Sequence, residues 1–479
     1  MIFIKKISDL ICEPLSALLN ESAKLGVFPR SLKEARVTPL FKGGDNVPKS
    51  YRPISNLSKI AKIFEKIIAN RLMSFFSKYD IISKFQFAYR PNHSTTDILH
   101  AILDYIYKGL NHNETIIAVF LDLSQAFSTL PIDILLTKLN NYGIRGKMLD
   151  WFESYLTNRY QYVQINSERS DMKQVSIGVP QGSTLGPLLF MVYINDFFTC
   201  SELISYSYAD DKTLLHKDKN ADNLFSYVNR NLKRIYTWLC VNKLKLNVNK
   251  SKLMVFTNKK NFVYSNVNIG DQQVGITNQI KLLGLEIDEK LTFKNHIKKT
   301  CSKLSYVSHI LTRFYTLPQA VRKKVYYAYA HPIMNYGISL WGSSYITHIR
   351  PLIRVQNSLV KKISYNYNKN ISDIYKKEKI LNIDSLKKYA LLCNMHKIIS
   401  NHAPLLLQEL IHDSFFSSTK YTRNRDLIRK PAVKLTIMKR SFCWAAPTIF
   451  NSIPDYIKKN NYKNFKSRIF DYLVEHQEF

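Results

Sequence analysis

The segment SYSYADDKTLLH, Ser205–His216, sets two adjacent aspartates between two runs of aromatic and apolar residues. Side chains alternate across a strand, so Tyr206 and Tyr208 before the pair and Leu214 and Leu215 after it predict two short strands joined at Ala209-Asp210-Asp211. Such a turn presents two carboxylates at an exposed tip. Hairpins more often carry Asn-Gly or Asp-Gly there. An Asp-Asp turn also suits an ordinary surface, so the rest of the chain has to decide between the two readings.

A second segment bears on that choice. ETIIAVFLDLSQAF is a continuous apolar run of the length of a buried strand, and Asp122 ends it. If this strand and the hairpin are neighbours in one sheet, Asp122, Asp210 and Asp211 meet at one edge. Three close carboxylates raise one another's pKa and are stable as anions chiefly when a cation neutralises them. Hard oxygen ligands favour Mg²⁺, and a pair of such ions suits in-line displacement at phosphorus, which is polymerase chemistry.

The remaining segments supply a mixed architecture. Ile7, Leu10, Ile11, Leu15, Leu18 and Leu19 recur at helical spacing and predict an amphipathic packing helix, interrupted too often by polar residues to be a signal peptide. RVTPLF predicts a strand before Gly43-Gly44-Asp45, followed by a Pro-bounded loop and a helix with Ile60, Ile63, Phe64, Ile67, Ile68 and Leu72 on one face. Two helices split near Tyr142-Gly143, a strand at RYQYVQIN, an apolar helix after GVPQGST, a long helix through LFSYVNRNLKRIYTWLCVNKL, a strand KLMVF and a hairpin ending at IKLLGLEID complete the order. Helices and strands alternate without a regular repeat, which predicts an α+β core.

Charge narrows the partner. The 479 residues carry 69 Lys and Arg against 36 acids, a formal charge of +33, with 46% apolar residues. A chain of this length and composition folds into roughly two to four domains and attracts polyanions. From Lys290 to Ser372 there is no acid and there are 14 Lys or Arg, interleaved with tyrosines. That stretch reads as a nucleic-acid-contacting surface, or as lysine stems covering apolar surface on a solvated face. The six cysteines show no zinc-like spacing and are expected as free thiols. No run of about 18 apolar residues is present, so the expectation is a soluble, intracellular protein without a membrane partner.

With these segments in order, the sequence resembles the reverse transcriptases of non-LTR retrotransposons of the jockey-like kind. The resemblance runs through TPLFKGGD and SYRPISNLS, QFAYRPNHST, AVFLDLSQAF, GVPQGSTLGPLLFMVYINDF, YADD, LKLNVNKSK and LLGLEID, and extends to the tail RSFCWAAPTIFNSIPDYI. It implies a right-hand polymerase of fingers, palm and thumb with an antiparallel palm sheet, followed by a helical basic C-terminal region. The implied division is an N-terminal helical segment at 1–30, fingers and palm at 31–289, a basic thumb at 290–372 and a retroelement C-terminal region at 373–479. Carried over residue by residue, it implies that Asp122, Asp210 and Asp211 are catalytic and hold two Mg²⁺ ions, with Mn²⁺ as a substitute, and that the Leu123 carbonyl completes a metal shell. Lys42 and Arg52 would hold the triphosphate, Phe127 would lie under the nucleotide sugar, and Gln181 and Gly182 would lie along the new base pair. Lys250 is a candidate acid for the leaving pyrophosphate and Leu283-Gly284 the turn that grips the primer; the acid-free stretch itself adds Arg322, Lys323 and Lys324 as an expected nucleic-acid contact. The partners implied are an RNA template, a DNA primer or target site and deoxynucleoside triphosphates, with the nucleus as the place of action.

Two departures stand out. Ser128 occupies the position of a usual Asp in Phe-Asp-Thr, and Leu32 that of a usual tryptophan. With no endonuclease, RNase H or zinc-knuckle signature in the sequence, the expectation extends to a truncated copy. Two functions therefore compete: an RNA-directed DNA polymerase, and a catalytically decayed, nucleic-acid-binding remnant of the same fold. An RNA-directed RNA polymerase would share the acids but is not expected to keep Phe127.

Overall fold

The computed structural model of the chain describes residues 6–45, 47–124, 127–260, 262–365, 369–415 and 427–479. Two antiparallel strands, β1 (Glu34–Phe41) and β2 (Tyr51–Asn56), open the main body. After helices Lys59–Lys78 and Thr95–Asn111 comes β3 (Thr115–Leu121), and after helices Ile132–Asn141 and Lys147–Leu156 comes β4 (Arg159–Ile165) with short β5 (Glu168–Arg169) and β6 (Lys173–Val175). Helix Gly186–Tyr193 precedes the hairpin of β7 (Ile204–Tyr208) and β8 (Asp211–Asp218), and helix Ala221–Val241 precedes β9 (Lys252–Phe256). These elements form two principal sheets. One runs β2-β1-β4, with β5 and β6 both paired to β4, and β1 lies parallel to β4. The other runs β9-β3-β8-β7, antiparallel throughout, with the short segment Gly275–Ile276 added parallel to β9. The expected antiparallel sheet is thus present with one parallel edge.

The second sheet is covered on both faces, which explains why β3 reads as a continuous apolar run. All seven of its residues are buried. They divide by alternation: Ile117, Val119 and Leu121 join a core with helices Lys59–Lys78, Gly186–Tyr193 and Ala221–Val241, whereas Ile116, Ala118 and Phe120 face a second core. That second core takes in helix Thr95–Asn111 and continues without interruption through the helices of 290–372 into the tail. The expected boundary at Ser372 therefore falls inside one apolar cluster. Helix Thr95–Asn111 begins with a capping box, Ser94 and Asp97 each accepting from the other's backbone N–H. Its buried far side grips the tail: Asp104 accepts from the N–H groups of Phe442 and Cys443 at 2.8 and 3.1 Å, and the Asn111 amide spans Ala432 to Leu435.

Two expectations need correction. The first helix spans Ser8–Leu25, but its predicted apolar stripe is packed only in part: Leu19 is buried and Leu15 packs beside it, whereas Leu10 is 80% exposed and Leu18 also faces solvent. Its end is anchored instead by the Trp151 indole donating to Ser22 at 3.0 Å. The Pro-bounded segment is a strand. Pro39 faces Pro53 across β1 and β2, at a place where β2 is the sheet edge and needs no second set of donors. No helix among the described residues is long and apolar enough to cross a membrane. All six cysteines are free.

Candidate active site

The β7–β8 hairpin closes on the pair Tyr208–Asp211, so its turn is the two residues Ala209 and Asp210 and Asp211 already belongs to β8. Ala209 takes a positive φ of 58°, the conformation that two-residue hairpins demand at their first turn position. A side chain there costs about 1–2 kcal/mol relative to the right-handed region. Neighbouring β3 pairs with β8 up to Leu121–Lys212, which brings Asp122, one residue further, level with Asp211. Asp122 is fixed from its other side. Its N–H donates to the Ser251 hydroxyl at 3.2 Å and its carbonyl accepts from Asn247 at 2.9 Å, while Ser124 donates to Lys245. In this antiparallel bridge between Leu123 and Leu246, the Leu123 carbonyl points away from Leu246.

The three acids sense one another. Asp211 meets solvent yet stands among enough protein atoms that burial, followed by the charges of Asp210 and Asp122, raises its pKa to about 6. Burial also raises Asp122, with Asp210 adding to the shift and Lys250 opposing it. Excess negative charge of this kind fits a cation. Among the described residues, however, no three His, Cys, Asp or Glu side chains are drawn into a single coordination sphere, so the acids are neighbours rather than a closed cage.

The loop before helix Gly186–Tyr193 is bound to the segment that follows Asp122. Val179 donates to the Phe127 carbonyl at 3.0 Å, Gly178 to Leu130 at 2.8 Å, and the Gln181 side chain to the Ser128 hydroxyl at 2.8 Å. On its other side the Gln181 carbonyl accepts from Ser55 of β2 at 2.6 Å. Gly182, at φ 121°, lies so close to that strand that a Cβ would come within 2.5 Å of the Ser55 carbonyl oxygen. Phe127 is half-buried with its ring 4.3 Å from that of Phe190. Gln125 and Ala126 lie outside the described residues.

Lys42 and Arg52 are exposed at the free end of the β1–β2 pair, where Lys42 donates its N–H to Ser50 at 2.8 Å. Lys250 is exposed on the same loop as Ser251, close enough to Asp122 to oppose its pKa rise. Leu283 and Gly284 form the two-residue turn of the hairpin Gln279–Leu282 with Leu285–Asp288, both at positive φ. The Tyr336 hydroxyl holds this turn at the Leu283 carbonyl and reaches Thr95 at 3.2 Å.

The basic cluster near residue 322 is not the surface that was expected. Arg322 is buried, and its guanidinium hydrogen-bonds the carbonyls of Ile363, Tyr315 and Leu317 while lying 4.4 Å from the Tyr365 ring. Those contacts use it as a clamp between helix ends. Lys323 is half-buried and bound to Glu378 through the carbonyl and, at 3.8 Å, the carboxylate. Lys324 alone of the three is exposed. The surrounding region is helical as expected, with Lys294–Arg313, Gln319–Val325 and Ile346–Ser364 its main elements.

Sequence reasoning missed two charged groups behind the site. Lys212 is 1% exposed, donates to Ser207 at 3.1 Å and lies 4.7 Å from the Phe197 ring; burial lowers its pKa to about 7 against the pull of Asp210 and Asp211. Strand alternation could have found it, since Lys212 shares a face with Leu214. Glu65, fully buried, accepts from Tyr155 at 3.0 Å and from the Thr184 N–H, and so secures the loop that carries Gln181. An acid inside the apolar run KIFEKII was its signal.

The family described as Reverse transcriptase (RNA-dependent DNA polymerase) matches residues 40–287, more than half of the chain. The "Probable RNA-directed DNA polymerase from transposon BS" of Drosophila melanogaster is 29% identical over 372 residues, covering 73% of this chain and 40% of the relative. The RNA-directed DNA polymerase from mobile element jockey of the same species is 27% identical over 375 residues, covering 75% and 41%. The chain thus spans about two fifths of the length of the curated relatives it matches. Among solved structures, telomerase from Candida albicans in complex with a TWJ fragment of telomeric RNA aligns with a TM-score of 0.41 and 14% identity, covering 77% of this chain and 70% of that one.

Proposed function

Because the chain belongs to the reverse transcriptase (RNA-dependent DNA polymerase) family, we propose that it is the polymerase of a non-LTR retrotransposon, adding deoxynucleotides to a primer 3′ end on an RNA template. The observation that carries this reading is the placement of Asp122 level with Asp211 across β3 and β8, with Asp210 in the adjoining turn. Asp122, Asp210, Asp211 and the Leu123 carbonyl would hold the divalent cations, two Mg²⁺ ions with Mn²⁺ as substitute. Bound there, divalent cations would supply activation of the primer hydroxyl and neutralisation of the leaving pyrophosphate.

The remaining roles fall to side chains around that edge. Lys42 and Arg52, free at the tip of β1 and β2, grip the triphosphate by charge and, for Arg52, by paired hydrogen bonds. Phe127 closes the space beneath the sugar and excludes a 2′-hydroxyl by contact. Gln181 and Gly182 lie along the new base pair, and the Leu283-Gly284 turn supports the primer. Lys250, beside Asp122, delivers a proton from its ammonium to a pyrophosphate oxygen. Residues 31–289 then act as fingers and palm, 290–372 as thumb and 373–479 as a region braced on the palm, with the nucleus as the place of action.

Extension of a DNA primer on an RNA template by the purified chain with Mg²⁺ and deoxynucleotides tests this reading. Template binding without extension would favour the decayed, nucleic-acid-binding remnant instead, a reading that Ser128 supports.

A further inference from the structure

We infer that Ser128 is a positioning residue, whose hydroxyl fixes the Gln181 side chain where a nucleotide is accepted. The inference rests on the polymerase reading above and assigns a role to a residue that otherwise looks like a mark of decay. Three observations carry it. The Gln181 amide nitrogen donates to the Ser128 hydroxyl at 2.8 Å, so the outer end of a side chain with three rotatable bonds is tied down. The backbone on both sides of that contact is already fixed: Gly178 and Val179 donate to Leu130 and Phe127, and the Gln181 carbonyl accepts from Ser55. Gly178, at φ 81°, also lies so close that a Cβ would fall 2.5 Å from the Ser128 carbonyl oxygen, so the two segments cannot slide past each other.

A rigid loop with a free glutamine would still sample several rotamers, at an entropic cost on each nucleotide bound. The Ser128 contact removes that freedom at the one torsion-rich group in the loop. It also defines polarity: with its N–H₂ directed to Ser128, the Gln181 carbonyl oxygen is the end that faces elsewhere. A cleft of about 310 Å³, lined among others by Ser55, Ser128, Arg159, Gln161 and Gln181, lies directly against this pair.

The test is steady-state single-nucleotide extension by the full chain. Ser128→Ala is expected to raise KM for the correct deoxynucleotide about five- to tenfold, the worth of one neutral hydrogen bond, with little change in kcat. Ser128→Asp keeps an acceptor and should stay near the parent. In the Gln181→Ala background, Ser128→Ala should add nothing, because the side chain it positions is gone. A thermal melt of each variant separates these effects from misfolding. Equal KM for parent and Ser128→Ala, or a full additional loss in the double variant, would overturn the inference while leaving the polymerase reading intact. A parent that extends no primer would overturn both.

Discussion

Asp122 and Asp211 stand level across two strands whose pairing ends one residue earlier, at Leu121–Lys212, so both carboxylates leave the sheet at the same edge. Sheet geometry holds them there, and neither depends on a mobile loop for its backbone position. Replacing Asp122, Asp210 or Asp211 by Ala should therefore remove charge without moving the frame. We expect primer extension to fall at least about a hundredfold, since cation-stabilised transition states are worth several kcal/mol. Template binding should change little because the basic surface supplies it. Any one of the three variants extending primers at the parental rate would remove that residue from the proposed site.

The same crowding predicts a response to cations. The Asp211 pKa of about 6, raised by burial and by its two acidic neighbours, means that the folded protein releases this proton later than the unfolded chain does. Stability from this group is present below the ordinary carboxylate pKa and is lost as pH rises through about 6. Mg²⁺ or Mn²⁺ added to chelator-treated protein should thus raise the melting temperature at pH 8 and have a smaller effect at pH 5. The Asp211→Asn variant should show a reduced response at pH 8. An identical response in that variant would place the bound cation elsewhere.

Much of this site is legible in the sequence because its parts are local. A central strand writes itself as an unbroken apolar run, and a hairpin as two alternating runs around a turn, so β3, β7 and β8 follow from ETIIAVFLDL and SYSYADDKTLLH. What escapes is information held by distant partners. Pro53 argues against a strand until β2 is seen to be an edge. Arg322 looks like one more cation in an acid-free stretch, and only the carbonyls of Tyr315, Leu317 and Ile363 reveal a buried clamp. Leu10 and Leu18 carry a helical period that the described residues leave largely uncovered, which periodicity alone does not disclose.

His100 offers a test of how the tail and the helical region are joined to the palm. It is 1% exposed, hydrogen-bonds the Ser339 hydroxyl at 2.9 Å and lies 4.4 Å from the Phe442 ring. Burial holds its pKa down to about 3. Between that value and the ordinary 6.5 the unfolded chain takes up a proton that the folded one excludes, so stability falls as pH is lowered from 6.5, by about 1.4 kcal/mol per unit. His100→Gln should flatten that acid limb in melting temperatures recorded from pH 7 to pH 5. Parallel curves for the two proteins would show that His100 titrates freely.

The burial of Arg322 separates two effects that the sequence merges. Its guanidinium bonds three carbonyls, so Arg322→Gln should destabilise the fold by about 2–4 kcal/mol, the scale of losing charge-assisted hydrogen bonds in the interior. It should not change how binding depends on salt, because a buried clamp neutralises no phosphate. Lys324 is exposed, and if it contacts the template-primer backbone, Lys324→Gln should lower the slope of log affinity against log salt by about 0.9 on duplex while leaving the melting temperature unchanged. Titrations at several salt concentrations, paired with thermal melts, read both quantities on each variant. A reduced slope in Arg322→Gln without a drop in melting temperature would mean that Arg322 leaves its carbonyls to meet the nucleic acid, and the assignment as a clamp would have to be given up.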